Sequence, residues 1–258
     1  MLLFMVKKAF FDMWDNFLSV VLFNLGFIII LMIPIWLPAP IASVSLIGAL
    51  LVQALGTIIA FVYAGTIAMM ARDIVNYQKP EFKNLIVYLK ETWVASVVLG
   101  LIYVAIGIIF KIGIPFYSAL GNILGLAAIV FLMWAVVIFA LASQFYFPVR
   151  AQLDDGIRTV LRKSFVIFFD NTLFAIVVAV GTIVTAGISV FTALLIPGLT
   201  GVLIWHQVGL KLRLYKYDYL EEHPEANRRK IPWDALLIDD REKVGTRTLR
   251  GMIFPWKE

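Results

Sequence analysis

The chain has 258 residues, 62% of them hydrophobic and 15% charged, with a formal net charge of +5. Soluble domains carry about a quarter charged residues, so a mean hydropathy of +0.92 excludes an ordinary soluble domain. It points to an all-α, polytopic membrane protein, because runs of about 18 or more apolar residues read as membrane spans. The absence of cysteine excludes disulfide staples, thiolate nucleophiles and cysteine-bound metal.

In chain order, the first element is the stretch MLLFMVKKAFFDMWDNF. Asp12 and Asp15 interrupt its apolar core, so it does not read as a cleavable leader. Leu3, Val6, Phe10 and Met13 share one helical face, which predicts an amphipathic helix ahead of the first span. That span is predicted over 17–37, with Pro34, Pro38 and Pro40 turning the chain at the membrane surface. The second span, 43–71, is long enough to tilt. Phe82, Leu85, Ile86 and Leu89 predict another amphipathic helix, followed by spans at 93–114 and 122–147.

Between the fourth and fifth spans lies FPVRAQLDDGIRTVLRKSF, residues 147–165. Ile157, Leu161, Phe165 and Phe168 fall on one helical face, with Arg158, Thr159 and Arg162 roughly opposite. This pattern suits a helix in the headgroup region, with Asp154 or Asp155 as its N-cap. Residues 172–210 carry no charge if His206 is neutral. That run exceeds the roughly 20 residues that one span needs. Pro197-Gly198 divides it into spans at 172–194 and 198–215. The expected organisation is a six-span domain over 1–215, built as three hairpins with cytoplasmic amphipathic helices, and a cytoplasmic tail over 216–258.

Of the 22 Lys and Arg, 21 fall on one side of this threading and only Lys111 on the other. Basic residues mark the cytoplasmic face, so both termini are expected there. An internal repeat accompanies the threading. KAFFDMWDNFL aligns with KSFVIFFDNTLF, placing Lys8 over Lys163, Phe10 over Phe165, Asp15 over Asp170 and Asn16 over Asn171. KNLIVYLKETWV aligns more loosely, through Lys83.

Residues that could carry chemistry are few. Asp154-Asp155-Gly156 followed by Arg158 resembles the start of a headgroup-transferase motif. The next aspartate is Asp170, too far along for carboxylates to share a divalent metal. Capping and a solvated face are the simpler reading. The intramembrane polar set is Asn24, Gln53, Gln144 and His206, with Asn122 at a span's edge. Interhelical hydrogen bonding, worth about 1 kcal/mol each, would account for them; a solute pathway is the other reading. No span has an acidic residue in its middle, which argues against ion-coupled transport. The pairs Ala64 with Ala68 and Gly121 with Gly125 would let helices approach closely.

From Lys216 onward there are nine basic and nine acidic residues. IPWDALLID predicts a short helix beginning at Pro232. Arg247, Arg250, Ile253, Phe254 and Trp256 form an aromatic and basic cluster of the kind that anchors binding surfaces. It is a candidate docking segment for a protein partner, or a membrane-surface anchor.

FYFPVRAQLDDGIRTVLRKSF and FVYAGTIAMMARDIVNYQKPEFKNLIVYLKETW together resemble the YesL-like family of bacterial membrane proteins, over roughly 17–219. The resemblance implies the bacterial inner membrane and an association with carbohydrate uptake. It brings no catalytic residues, and it does not cover the tail. The expected function is a non-enzymatic inner-membrane protein acting through protein partners, accessory to a carbohydrate transport system. The alternative is a transporter or channel for a small uncharged solute. The bilayer is a partner in either case. No cofactor, metal or nucleic acid is called for, and a homo-oligomer is left open. A continuous polar cavity would favour transport; a closed bundle with a protruding tail would favour partner binding.

Overall fold

In the computed structural model, which describes residues 1–228 and 230–247, every regular element is helical. In chain order these are α1 (Leu2–Asp15), α2 (Phe17–Trp36), α3 (Pro38–Ala42), α4 (Leu46–Val75) and α5 (Asn84–Ile108). After one π-helical turn, Ile109–Gly113, come α6 (Ile114–Ala119), α7 (Ile123–Ser143), α8 (Tyr146–Leu153) and α9 (Ile157–Asp170). Then follow α10 (Thr172–Phe191), α11 (Gly198–Glu222), α12 (Trp233–Leu236) and α13 (Ile238–Val244).

Five stretches are long and apolar enough to cross a membrane: Phe17–Ala42, Leu46–Val75, Asn84–Ala119, Ile123–Leu153 and Thr172–Phe191. Large apolar side chains such as Ile29, Phe131, Ile183 and Phe191 stay exposed on them. Such an apolar belt would be costly in water and suits contact with lipid. The protein is therefore a multi-pass membrane protein by the length and composition of its helices. Side-chain caps set two of the starts. Ser45 Oγ accepts from Gly48 N at 3.1 Å and Asn122 Oδ1 from Gly125 N at 2.9 Å, each cap contributing about 1 kcal/mol.

α11 is not among the five. Its apolar part, 198–210, has 13 residues and rises about 20 Å, short of the ~30 Å hydrocarbon core. Protein covers it instead: Thr200, Ile204, Gln207, Val208 and Leu210 are fully buried. α10 runs antiparallel beside it. Trp205 Nε1 donates to the Val178 carbonyl at 2.9 Å, and Gly198 N to Ser189 Oγ at 2.9 Å. α1 also lies antiparallel along α11, with Met5 against Gly209 and Met13 against Gly201. The absence of Cβ at both glycines permits this approach. The face of α1 that carries Lys8 and Asp12 is turned into the protein, while Leu3, Val6 and Trp14 stay exposed.

One expectation about the elements is corrected. The amphipathic helix predicted from Phe82 to Leu89 is not a separate element, because α5 runs unbroken from Asn84 into the span. At the other two joints Asn16 and Asn171 leave helical geometry, at φ −115° and −135°. Their side-chain amides bond back to the carbonyls of Asp12 and Ile167, at 3.0 and 3.2 Å. Glu91 stands at the aligned third position, and glutamate is a good helix former. α5 packs along α4, with Gly65 against Ser96 and Gly100 against Ile58. It meets α7 through Tyr103, whose hydroxyl is 2.8 Å from Ser143 Oγ and whose ring is 5.7 Å from Phe139. α5 thus touches both α4 and α7.

The segment beyond α11 folds back on the bundle. Leu237, Asp240 and Val244 are buried, and α12 begins at Trp233, just after Pro232. α11 itself continues past residue 215 to Glu222.

Candidate functional site

The polar side chains gather at the end of the bundle where α1, α4, α11 and α13 meet. Lys8 Nζ lies 3.0 and 3.2 Å from the two Asp12 oxygens and 3.7 Å from the centroid of the Tyr77 ring. Tyr77 follows α4 in a left-handed conformation, φ 61°, and its hydroxyl donates to the Asp240 carbonyl at 3.4 Å. Lys211 Nζ donates to the Val75 carbonyl at 3.3 Å and to Asp240 Oδ1 at 3.2 Å. Tyr215 donates to Asp240 Oδ2 at 3.0 Å. Burial pushes the Asp12 carboxyl up to about 6, against the pull of Lys8. Burial likewise lowers the Lys8 ammonium, though Asp12 opposes it. Burial alone would raise Asp240, but Lys211 leads the interactions that hold it below the usual carboxylate range.

Next to this network the tail is clamped to α1. Arg247 donates to both Asp15 oxygens, at 2.8 and 3.0 Å, and its guanidinium lies 4.5 Å from the Phe11 ring centroid. Lys7 Nζ donates to the Gly245 carbonyl at 2.8 Å. Arg247, expected as a docking residue, is thus engaged within the chain. Arg250, Ile253, Phe254 and Trp256 lie outside the described residues.

A second cluster sits at the start of α10. Asp170 accepts from Tyr217 at 3.0 Å and Lys216 at 3.4 Å, and Arg228 approaches to 3.7 Å. Burial would raise Asp170, but the Tyr217 hydroxyl and the two cations hold it below the usual range. Asn171 Oδ1 accepts from Lys216 at 2.9 Å and Arg213 at 3.2 Å. The aligned Asp15-Asn16 and Asp170-Asn171 pairs are therefore structural equivalents. Each asparagine breaks a 14-residue helix from the span that follows. Each aspartate pairs with a tail arginine.

The intramembrane polar residues do not converge on one path. Asn24 Nδ2 donates to the Leu195 and Pro197 carbonyls at 2.9 and 2.8 Å, and its Oδ1 accepts from Thr200 N at 2.9 Å. It clasps the turn into α11, where Gly198 has φ +61° and a Cβ would collide with the Asn24 amide. Gln53 accepts from Lys111 at 2.6 Å. Gln144 donates to the Ala175 carbonyl at 2.9 Å, and His206 Nε2 is 2.8 Å from Thr182 Oγ1. Gln144 and His206 line one cavity of about 310 Å³, with Phe27, Phe61, Tyr103 and Leu203; Asn24 and Gln53 do not reach it.

Neither Asp154 nor Asp155 caps α9, because Gly156 occupies the N-cap. Asp154 pairs with Arg150, and Asp155 with Lys163 at 2.6 Å. Sequence reasoning missed two groups. Arg72 Nη2 pairs with Asp73 Oδ1 at 2.8 Å, and Tyr88 donates to Asp73 Oδ2 at 2.7 Å. Gln207 donates to the Ala68 carbonyl at 2.9 Å and accepts from Gln152 at 3.2 Å. The adjacent Arg-Asp pair closing the small-residue stretch of α4 was the readable signal for the first. The second had none.

Comparison with family models, curated proteins and solved structures finds no match to this chain. What the arrangement can do is therefore argued from its own chemistry. Of the buried ionic groups, Lys8 and Asp12 pair within α1 and Lys211 joins α11 to Asp240 of α13, while Gln144 bonds from one helix to the next.

Proposed function

We propose that the protein is a non-enzymatic component of the bacterial inner membrane that acts through protein partners, as an accessory to a carbohydrate transport system. In this reading it crosses the membrane six times, with α11 as the short, protein-covered sixth crossing. Both termini are cytoplasmic, and the chain is YesL-like. One observation carries the reading: the stretch from α13 to Arg247 is built into the bundle end through Lys211–Asp240, Lys7–Gly245 and Arg247–Asp15. In sequence, the aromatic and basic cluster follows directly after this anchored stretch. Its Arg250, Ile253, Phe254 and Trp256 would supply the anchors a partner recognises.

The test is affinity purification of the full chain from native membranes, against a chain ending at Arg247 and a Phe254→Ala/Trp256→Ala variant. A defined partner retained only by the full wild-type chain supports the reading. Identical retention by all three, or solute flux through the purified protein alone in liposomes, overturns it. Transport of a small uncharged solute is the second reading. The ~310 Å³ cavity shared by Gln144 and His206 favours it, and the same flux measurement decides between the two.

A further inference from the structure

Arg213 is a buried cation that forms no ion pair with an Asp or Glu among the described residues. It is 7% exposed, and its Nε has no hydrogen-bond partner among those residues. It donates to the neutral Asn171 Oδ1 at 3.2 Å and lies 2.7 Å from Met1 Sδ, with the Phe174 and Trp233 ring centroids 3.8 and 5.4 Å from the guanidinium. A buried guanidinium normally has a carboxylate or phosphate to offset its desolvation. Here the nearest cluster carboxylate, Asp170, is taken by Lys216 and Arg228 at 3.4 and 3.7 Å. Both distances are long for charge-assisted bonds. Three cations thus stand against one carboxylate.

These three cations line one cavity of about 330 Å³, together with Leu173, Val177 and Trp233; among the described residues lining it there is no Asp or Glu. The cavity opens where the spanning helix α10 begins. Leu173 is 82% exposed and Val177 follows it one turn along the same face. The site therefore has a cationic head and an apolar track running into the span, with a tryptophan at the level where such rings sit in bilayers.

We propose that this cavity binds the phosphate of an anionic glycerophospholipid, with Arg213, Lys216 and Arg228 around the phosphate and an acyl chain along Leu173 and Val177. The bound phosphate completes the Arg213 coordination and links α10, α11 and the start of the tail. Free phosphate shares the head chemistry but gains nothing from the apolar track. The assignment does not depend on the partner-binding reading.

The test uses the full chain, purified in an uncharged detergent. Phosphatidylglycerol, phosphatidylcholine and inorganic phosphate are titrated separately. Thermal midpoint and native mass spectrometry are the readouts. Phosphatidylglycerol should raise the midpoint and remain bound, while phosphatidylcholine and inorganic phosphate do neither. Arg213→Gln should weaken phosphatidylglycerol binding about tenfold or more, the effect of one charge-assisted hydrogen bond. Because Arg213 is buried, Arg228→Gln provides the second variant. Its side chain is 78% exposed, so folding is spared, and it should weaken binding severalfold. Arg158→Gln, at an exposed cation on α9, should bind as wild type. Equal binding of the two lipids, or wild-type affinity in both the Arg213 and Arg228 variants, overturns the site. Stabilisation by inorganic phosphate equal to that by phosphatidylglycerol overturns the lipid assignment.

Discussion

Arg247 and Asp15 are 232 positions apart in sequence, yet the guanidinium holds both carboxylate oxygens, at 2.8 and 3.0 Å. The pair closes the chain on itself at one end of the bundle. Both side chains are nearly half exposed, so the pair contributes at most about 1 kcal/mol to global stability. Its effect should be local. Arg247→Ala should speed protease cleavage near Gly245 in membranes without lowering the thermal midpoint by more than a degree or two. The exchange Asp15→Arg with Arg247→Asp should restore resistance. Unchanged cleavage in the single variant would remove the clamp from the account.

Lys8 and Asp12 behave differently, because both are buried. Removing one partner of a buried pair leaves an uncompensated charge, at a cost of about 3–5 kcal/mol. Asp12→Ala should therefore reduce the yield of folded protein sharply. The double variant Lys8→Met/Asp12→Leu should be much milder, since apolar groups of similar volume replace the pair. A double variant as unstable as the single one would contradict this.

The same carboxylate gives a pH dependence of definite sign. Burial raises the Asp12 carboxyl in the folded protein from its ordinary value of 3.8 to about 6. The folded state thus holds the proton more tightly. The contribution of Asp12 is fully present below the unfolded value and is lost as pH rises through about 6. Asp240, held low, acts in the opposite sense, and its contribution disappears as pH falls through its folded value. The midpoint of the wild type relative to Asp12→Asn should decline between pH 4 and 6. Parallel pH profiles would refute the assignment.

Asn24 tests whether the intramembrane amides serve structure or passage. Its three hydrogen bonds hold the α10–α11 turn. Asn24→Ala should destabilise by about 1–3 kcal/mol, the cost of leaving buried partners unpaired. Gln53→Ala, which frees only the exposed Lys111 contact, should be near neutral. Normal stability with altered solute flux in Asn24→Ala would favour the transport reading.

Threading can be checked directly, as the chain has no native cysteine. Lys83→Cys should be protected from an impermeant reagent in intact cells, and Lys111→Cys labelled. The reverse pattern would invert the proposed orientation.

Much of this fold was legible because lipid selects on composition. The start of α2 at Phe17 and of α10 at Thr172 coincides with the expected boundaries, since Asp-Asn precedes both. The role of α11 was not legible. Hydropathy registers how apolar a segment is, not whether lipid or protein covers it, and α11 is covered by protein. The tail network was equally silent. Lys8, Tyr77, Lys211 and Asp240 come from four distant places, and nothing local in any of them announces the other three. The amides were visible as polar residues in spans, but the Asn24 and Gln144 amides donate to backbone carbonyls, which every sequence supplies.

The packing of α1 on α11 also sets an order of events during synthesis. α1 leaves the ribosome before α11, so Gly201 and Gly209, against which Met13 and Met5 rest, are made after it. Until then Lys8 and Asp12 have, of the charged cluster's members, only Tyr77 beside them. Their neighbours Tyr77, Lys211 and Asp240 arrive one after another, the last with α13. A nascent chain halted before α11 therefore presents this charged helix face without Lys211 and Asp240, a gap that the synthesis of α11 and α13 closes.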